Sequence, residues 1–228
     1  MDTAEFIHQL SIVFIPGLLA ITLHEVAHGW AALYFGDPTA MYLGRLSLNP
    51  IKHIDPVGTV AVPLTLLFLN ASFLFGWANP VPINSRNLNN PRIQLALIAV
   101  AGPLANAVMA MLWAGVIKLA LLANNAGIIP AAPGLFWLIR TAEFGILINI
   151  VLGVFNLLPV PPLDGGKIIM LFIPYKISQI LYEYENIGFI ILLFLLMSGL
   201  LSAIISPVIY LFHHKIHILF GLKNTYIL

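Results

Sequence analysis

Cysteine is absent from all 228 residues, which excludes disulfides and thiolate metal sites and leaves the redox compartment open. Charge is scarce as well. Asp, Glu, Lys and Arg make up 8% of the chain, against roughly 25% in soluble domains. With a net charge of +1 there is no basic surface to invite nucleic acid. The N-terminus carries Asp2 and Glu5 rather than a basic region, and no small-residue cleavage site follows at the spacing of a secretory signal. The first apolar run is therefore expected to stay in the mature chain. No internal repeat and no low-complexity linker divides the sequence.

What the chain has in quantity is apolar surface: 60% of residues are hydrophobic and the mean hydropathy is +0.98. This composition points to an integral membrane protein of one domain, residues 1–228, bathed in membrane lipid. About 20 apolar residues suffice to cross a bilayer as helix. Four segments, 6–35, 92–124, 136–158 and 187–212, are long enough. A fifth, 57–75, is interrupted by Pro63 and Asn70 and reads as a re-entrant dip sheltered by protein. Residues 42–49 alternate loosely and read as a strand of a short β-hairpin. The expected fold is an all-α polytopic membrane protein with four to five transmembrane helices, one re-entrant segment and that hairpin.

The first apolar segment contains His24-Glu25-Val26-Ala27-His28. Positions i and i+4 share one helix face, so the two imidazoles can grip a single Zn²⁺ while Glu25 reaches a metal-bound water as general base. The pattern is short and recurs by chance. Here it lies in a run of Ile, Leu, Val, Phe and Ala, where a charged side chain costs roughly 2.5–3.5 kcal/mol. Three ionisable residues in five need partners, and a bound cation is the most economical one. A catalytic site needs a third protein ligand and an open position. Among the few remaining acids Asp164 stands out, set in PVPPLDGG between two apolar stretches. The prolines of that segment forbid regular helix and are expected to hold it extended, and Gly165 and Gly166 allow close backbone approach to another helix. Asp164 is thus a candidate third ligand; the alternative is a simple helix cap.

HEVAHG, then Ala101-Gly102-Pro103-Leu104-Ala105-Asn106, then Asn156-Leu157-Leu158-Pro159 through Asp164-Gly165-Gly166, resemble the three motifs of the site-2 proteases, in family order. GRLSLNPIKHIDPVGT and FGWANPVPIN look like the compact prokaryotic branch. The resemblance implies His24, His28 and Asp164 as ligands of one Zn²⁺ per chain, Glu25 as catalytic base, and cleavage of transmembrane protein substrates in or near the bilayer. It implies a substrate or oxyanion role for Asn106 and Asn156, whose alternative is hydrogen bonding between helices. At 228 residues the chain is expected to lack the PDZ or CBS domains of longer relatives. A metal transporter and an inactive membrane chaperone are the rival readings.

The proposed ligands constrain threading. His24 and His28 lie roughly 10–16 Å below one surface, counted from the end of their helix at 1.5 Å per residue. For Asp164 to reach them, the 6–35 and 136–158 helices must run parallel, which requires that 57–75 does not cross. Arg45, Lys52, Arg86, Arg92, Lys167 and Lys176 then share the face of the site, opposite Arg140, Lys215 and Lys223. The positive-inside rule puts the site toward the cytoplasm of a multi-pass protein in the cell membrane. His53 reads as a solvated or interfacial histidine, and His213, His214 and His217 as a basic tail at lipid headgroups, with metal binding as the alternative. Trp30, Trp77, Trp113 and Trp137 read as interfacial anchors.

Overall fold

The computed structural model describes residues 3–69 and 76–222; Asp2, Asn70 and Lys223 lie outside them. In chain order the described helices are α1 (Thr3–Tyr34), α2 (Thr39–Tyr42), α3 (Val62–Phe68), α4 (Pro91–Asn125), α5 (Pro133–Asn156), α6 (Asp164–Ile169), α7 (Tyr175–Glu183), α8 (Glu185–Met197) and α9 (Leu200–Phe220). Four are long and apolar enough to cross a membrane: Ile7–Tyr34 of α1, α4, α5 and α9.

Their packing inverts the pattern of a soluble bundle. Small residues fill the α4–α5 seam, with Ala110, Ala114 and Ala142 fully buried beside Ile117 and Ile146. Large ones face outward, Leu112 at 59% and Leu119 at 68% exposure. Close backbone approach over small side chains, with Leu left for the surroundings, is how helices associate in lipid, and so much exposed apolar surface has no place in water.

Side-chain hydrogen bonds give the directions. Trp137 Nε1–H donates to Ser11 Oγ at 2.8 Å, matching the early part of α5 to the early part of α1. Asn106 reaches Ala20 C=O, and His28 reaches Ile98 C=O, so α4 runs against α1. The α1 and α5 helices are therefore parallel, with α4 antiparallel between them. Trp77, just past the 57–75 stretch, bonds the beginning of that stretch: Trp77 N–H donates to Gly58 C=O (3.1 Å) and Thr59 Oγ1–H to Trp77 C=O (2.7 Å).

Three expectations need correction. No strand forms among the described residues. Over 42–49 the backbone is occupied by local side chains instead of a ladder: Lys52 Nζ on Gly44 C=O, His53 Nε2 on Ser47 C=O, and Ser47 Oγ on Asn49 N–H. Such bonds compete with sheet pairing. That histidine is consequently buried, at 1% exposure, not solvated. The 187–212 run is not one span. It breaks at Gly199, whose φ of +75° ends α8 after its amide bonds Leu196 C=O. At 13 residues α8 is about 20 Å long, short of a bilayer core, and it packs with α9 around Leu192, Leu201, Ile205 and Leu163. Trp113 covers Gly145 in the α4–α5 seam and Trp137 is tied to Ser11, while Trp30 is 59% exposed.

A buried carboxylate fastens the loops above the long helices. Asp37, just beyond α1, accepts from Thr39 Oγ1, Thr39 N–H and Asn87 Nδ2 on one oxygen and from Asn84 N–H on the other. Burial pushes its carboxyl up, but these hydrogen bonds together outweigh that and hold it below the usual carboxylate value. Its stabilisation is present above the unfolded-state pKa of about 3.9 and is lost as pH falls through the lower folded value. Asp37→Ala leaves those donors unpaired and should cost about 1–3 kcal/mol, read as a lower melting temperature in detergent at pH 7. Equal melting of the two proteins would remove Asp37 from the account.

Candidate metal centre

The two imidazoles and the distant carboxylate converge. His24 Nε2 and His28 Nε2 are 3.1 Å apart, and each lies 3.2 Å from Asp164 Oδ2. All three side chains are buried, at 5–7% exposure. The i, i+4 spacing on α1 supplies the histidine pair. Asp164 is delivered by the turns after α5, where Val160 N–H bonds Leu158 C=O and Leu163 N–H bonds Val160 C=O. This segment is folded back in turns, not extended as its prolines suggest. A Cβ on Gly165 would lie 2.3 Å from the carbonyl oxygens of Leu157 and Leu158, so its glycine serves the fold of its own loop, not approach to another helix. Asp164 opens α6 but does not cap it. Its Oδ2 makes no hydrogen bond, and Oδ1 lies 3.5 Å from Lys167 Nζ.

Proton bookkeeping at this triangle is restrictive. His28 Nδ1 lies 2.7 Å from Ile98 C=O, which can only accept, so that nitrogen carries the proton. His24 Nδ1 lies 2.6 Å from Asn106 Oδ1. The amide orientation there is dictated by its surroundings. Asn106 Nδ2 donates to Ala20 C=O and to Asn149 Oδ1, and Asn149 Nδ2 donates to Gly145 C=O. His24 is therefore also protonated at Nδ1. In their neutral forms both imidazoles aim bare Nε2 lone pairs at each other and at a carboxylate oxygen, in a buried pocket. Three acceptors converging without a donor are repulsive unless a cation joins them. A tetrahedral Zn²⁺ with ligands at about 2.0–2.1 Å separates its donor atoms by about 3.3 Å. The observed triangle fits that edge, and the orphaned Oδ2 supplies its third corner.

Gly102 explains part of the second motif. A Cβ there would lie 2.4 Å from His28 Nε2 and 2.6 Å from His24 Cε1, so α4 can pass the imidazoles only with glycine at this point. One turn further on, Asn106 meets the back of His24. It is fully buried at that imidazole's Nδ1, where it holds the ring and its tautomer. Asn156 is not brought to the triangle. Its Nδ2 donates to Leu152 C=O in its own helix.

Glu25 is half-buried, and its Oε2 accepts from Val81 N–H at 2.8 Å. In Pro80-Val81-Pro82 the flanking prolines have no N–H, so this amide is the one donor the tripeptide can offer. The segment is pinned just ahead of Val81, by Arg45 Nη2 on the carbonyls of Asn79 and Pro80 and by Asn79 N–H on His53 C=O. Sequence reasoning missed Val81 and Asn149. A lone donor between two prolines and an asparagine inside an apolar helix were the available signals.

Comparison with known proteins agrees with this chemistry. The sequence model of peptidase family M50 matches residues 128–199, which include Asp164. The Bacillus subtilis protein named "Putative zinc metalloprotease YwhC" is 38% identical over 84% of this chain and 83% of its own length. Two mycobacterial proteins described in the same words, both named Rip2, are more distant. That of Mycolicibacterium smegmatis is 28% identical over 88% of this chain and 73% of its own. That of Mycobacterium tuberculosis H37Rv is 26% identical over 85% and 69%. No solved structure matches the chain.

Outer-shell partners of histidine ligands are typically worth 10–100-fold in metal affinity. Asn106→Ala should weaken Zn²⁺ binding by about that factor in a chelator competition, and Asn149→Ala should weaken it less, because it acts through Asn106. Asn156→Ala should leave the affinity unchanged. Equal affinities for the Asn106 and Asn156 variants would refute the positioning role.

Proposed function

The chain belongs to peptidase family M50 and is a multi-pass membrane zinc metalloendopeptidase; on that premise we propose that it works as a single unit that hydrolyses peptide bonds in or near the transmembrane segments of other membrane proteins. In this reading His24, His28 and Asp164 hold one catalytic Zn²⁺ and Glu25 is the general base. The observation that carries it is the convergence of both bare Nε2 atoms on the unpartnered Asp164 Oδ2, beneath the surface of an apolar bundle.

When bound, zinc lowers the pKa of a coordinated water to about 7 and polarises a carbonyl oxygen. The remaining work falls to the chain. Glu25, beside the first ligand, takes the proton of the attacking water and returns it to the leaving amine nitrogen. The Val81 N–H holds the Glu25 carboxylate in place. Asn106 and the Ile98 carbonyl keep both Nδ1 atoms protonated, so both Nε2 atoms stay available to the metal. The substrate must contribute a change of its own. A carbonyl within a helix is shielded by its hydrogen bond, so cleavage is expected where helix-breaking residues let the segment unwind. Water enters from the polar connections 36–56 and 76–90, which gather at the site's end of the bundle.

The basic residues support a cytoplasmic site in the cell membrane. Arg45, Lys52, Arg86, Arg92 and Lys167 belong to that same end, and Arg92 Nη2 clamps the carbonyls of Met170, Leu171 and Ile173. Lys118, Arg140 and Lys215 belong to the other. By the positive-inside rule the majority end faces the cytoplasm.

Co-expression with a panel of tagged single-span membrane proteins tests the reading. The wild type should release a shortened product, and Glu25→Gln should cut its rate by about 10²–10⁴-fold while keeping its zinc. Asp164→Asn should lose both zinc and cleavage. The same products from Glu25→Gln at the wild-type rate would refute the assignment.

A further inference from the structure

The opposite end of the bundle holds a second group built from the same kinds of donor. His213 and His217 stand one turn apart on α9, and Glu143 faces them from α5. Glu143 Oε2 lies 3.2 Å from His217 Nε2 and 3.5 Å from His213 Nε2. The two rings are tilted by 31° with centroids 4.3 Å apart, and one donor atom from each of the three residues falls within 4.8 Å of the others. His217 is 2% exposed, and Glu143 Oε1 is buried without a hydrogen-bond partner. His214 is not part of the group; its ring stacks on Tyr210. Thus two of the three histidines that read as a headgroup-facing tail turn inward onto a carboxylate in the apolar part of a neighbouring helix.

We propose that Glu143, His213 and His217 form a second divalent-cation site, separate from the catalytic one, that fastens α9 to α5. The arrangement repeats that of the first centre: two imidazoles at i, i+4 on one helix and a carboxylate oxygen from another element within reach of both. The donor set selects the ion. One carboxylate and two imidazoles suit Zn²⁺ or another first-row transition ion and not Ca²⁺ or Mg²⁺, which need more oxygen ligands. Arg140 borders the same spot, so an ion there is held by coordination against that charge. A cavity of about 170 Å³, lined by Gln9, Ile12, Val13, Arg140 and Leu147, adjoins Glu143 and His213. A water takes about 30 Å³, so there is room for the waters that would complete the coordination. A second cavity of about 260 Å³, reaching Ser206 and Tyr210, meets His213 from the α5–α9 side.

The two centres share no ligand. Glu143 precedes Asn149 by six residues of α5, about 9 Å along the helix, and Asn149 reaches the catalytic triangle only through Asn106 and His24. A cation here would tie α9, whose other contacts with α4 and α5 are mainly apolar, to the helix that carries the Asn149 support. Its role is structural.

Zinc content resolves the two sites separately. Full-length protein in detergent is loaded with ZnSO₄, desalted and measured by elemental mass spectrometry. His213→Ala/His217→Ala should hold one ion per chain fewer than the wild type, and so should Glu143→Gln, which preserves shape if the double variant fails to fold. In a His24→Ala/His28→Ala background, added Zn²⁺ should still raise the melting temperature, and adding Glu143→Gln should abolish the rise. Wild-type zinc content in both Glu143→Gln and His213→Ala/His217→Ala, or no zinc-dependent rise in the His24→Ala/His28→Ala protein, overturns the proposal. Because the readout is a difference between variants, it holds even if the catalytic triangle proves empty.

Discussion

Three hydrogen-bond acceptors aimed at one point inside an apolar bundle form the constraint on which the rest of this structure depends. With both Nδ1 atoms committed to oxygens that accept, the neutral histidines can present only lone pairs to each other and to Asp164 Oδ2. All three side chains are buried, and an unsatisfied polar group away from water costs several kcal/mol. A cation removes the conflict. The chain assembles the cluster from residues 136 positions apart, through parallel α1 and α5 with α4 between them, so the helix packing and the metal chemistry answer the same requirement.

Much of the remaining detail serves to keep the triangle rigid. Gly102 lets α4 pass the imidazoles at contact distance, and one turn later Asn106 locks the His24 tautomer with Asn149 behind it. On the outward side, the Pro80-Val81-Pro82 segment is held by Arg45 and His53 so that a lone amide meets Glu25. Apart from Gly102 these supports are polar groups, each hydrogen-bonded to a partner. That is why single substitutions behind the ligands are expected to act on the metal without touching it.

The histidine pair was legible because helical periodicity alone places i and i+4 on one face, and the apolar setting demands a partner for them. The four spanning helices were legible from length and apolar content, apart from the boundary moved by Gly199. Asp164 was a candidate from the scarcity of acids and its setting, and the family motif strengthened it, since no local rule says where a carboxylate after a turn will point. Asn106 was found, with hydrogen bonding between helices as one of its two readings, but its hold on His24 was not. A buried amide facing substrate and one facing the back of a ligand look alike in sequence, and the difference lies in which helix packs behind α1. The expected hairpin failed for a local reason: Ser47, Lys52 and His53 satisfy the backbone that a ladder would have used. His213 and His217 were read as a tail because their partner, Glu143, lies 70 residues away on another helix.

Anomalous diffraction at the zinc absorption edge, from crystals of the zinc-loaded protein, addresses the central claim most directly. The account places a peak about 2.0–2.2 Å from His24 Nε2, His28 Nε2 and an Asp164 carboxylate oxygen. A map with no density between those three atoms, or with Asp164 turned away from the imidazoles, would contradict it.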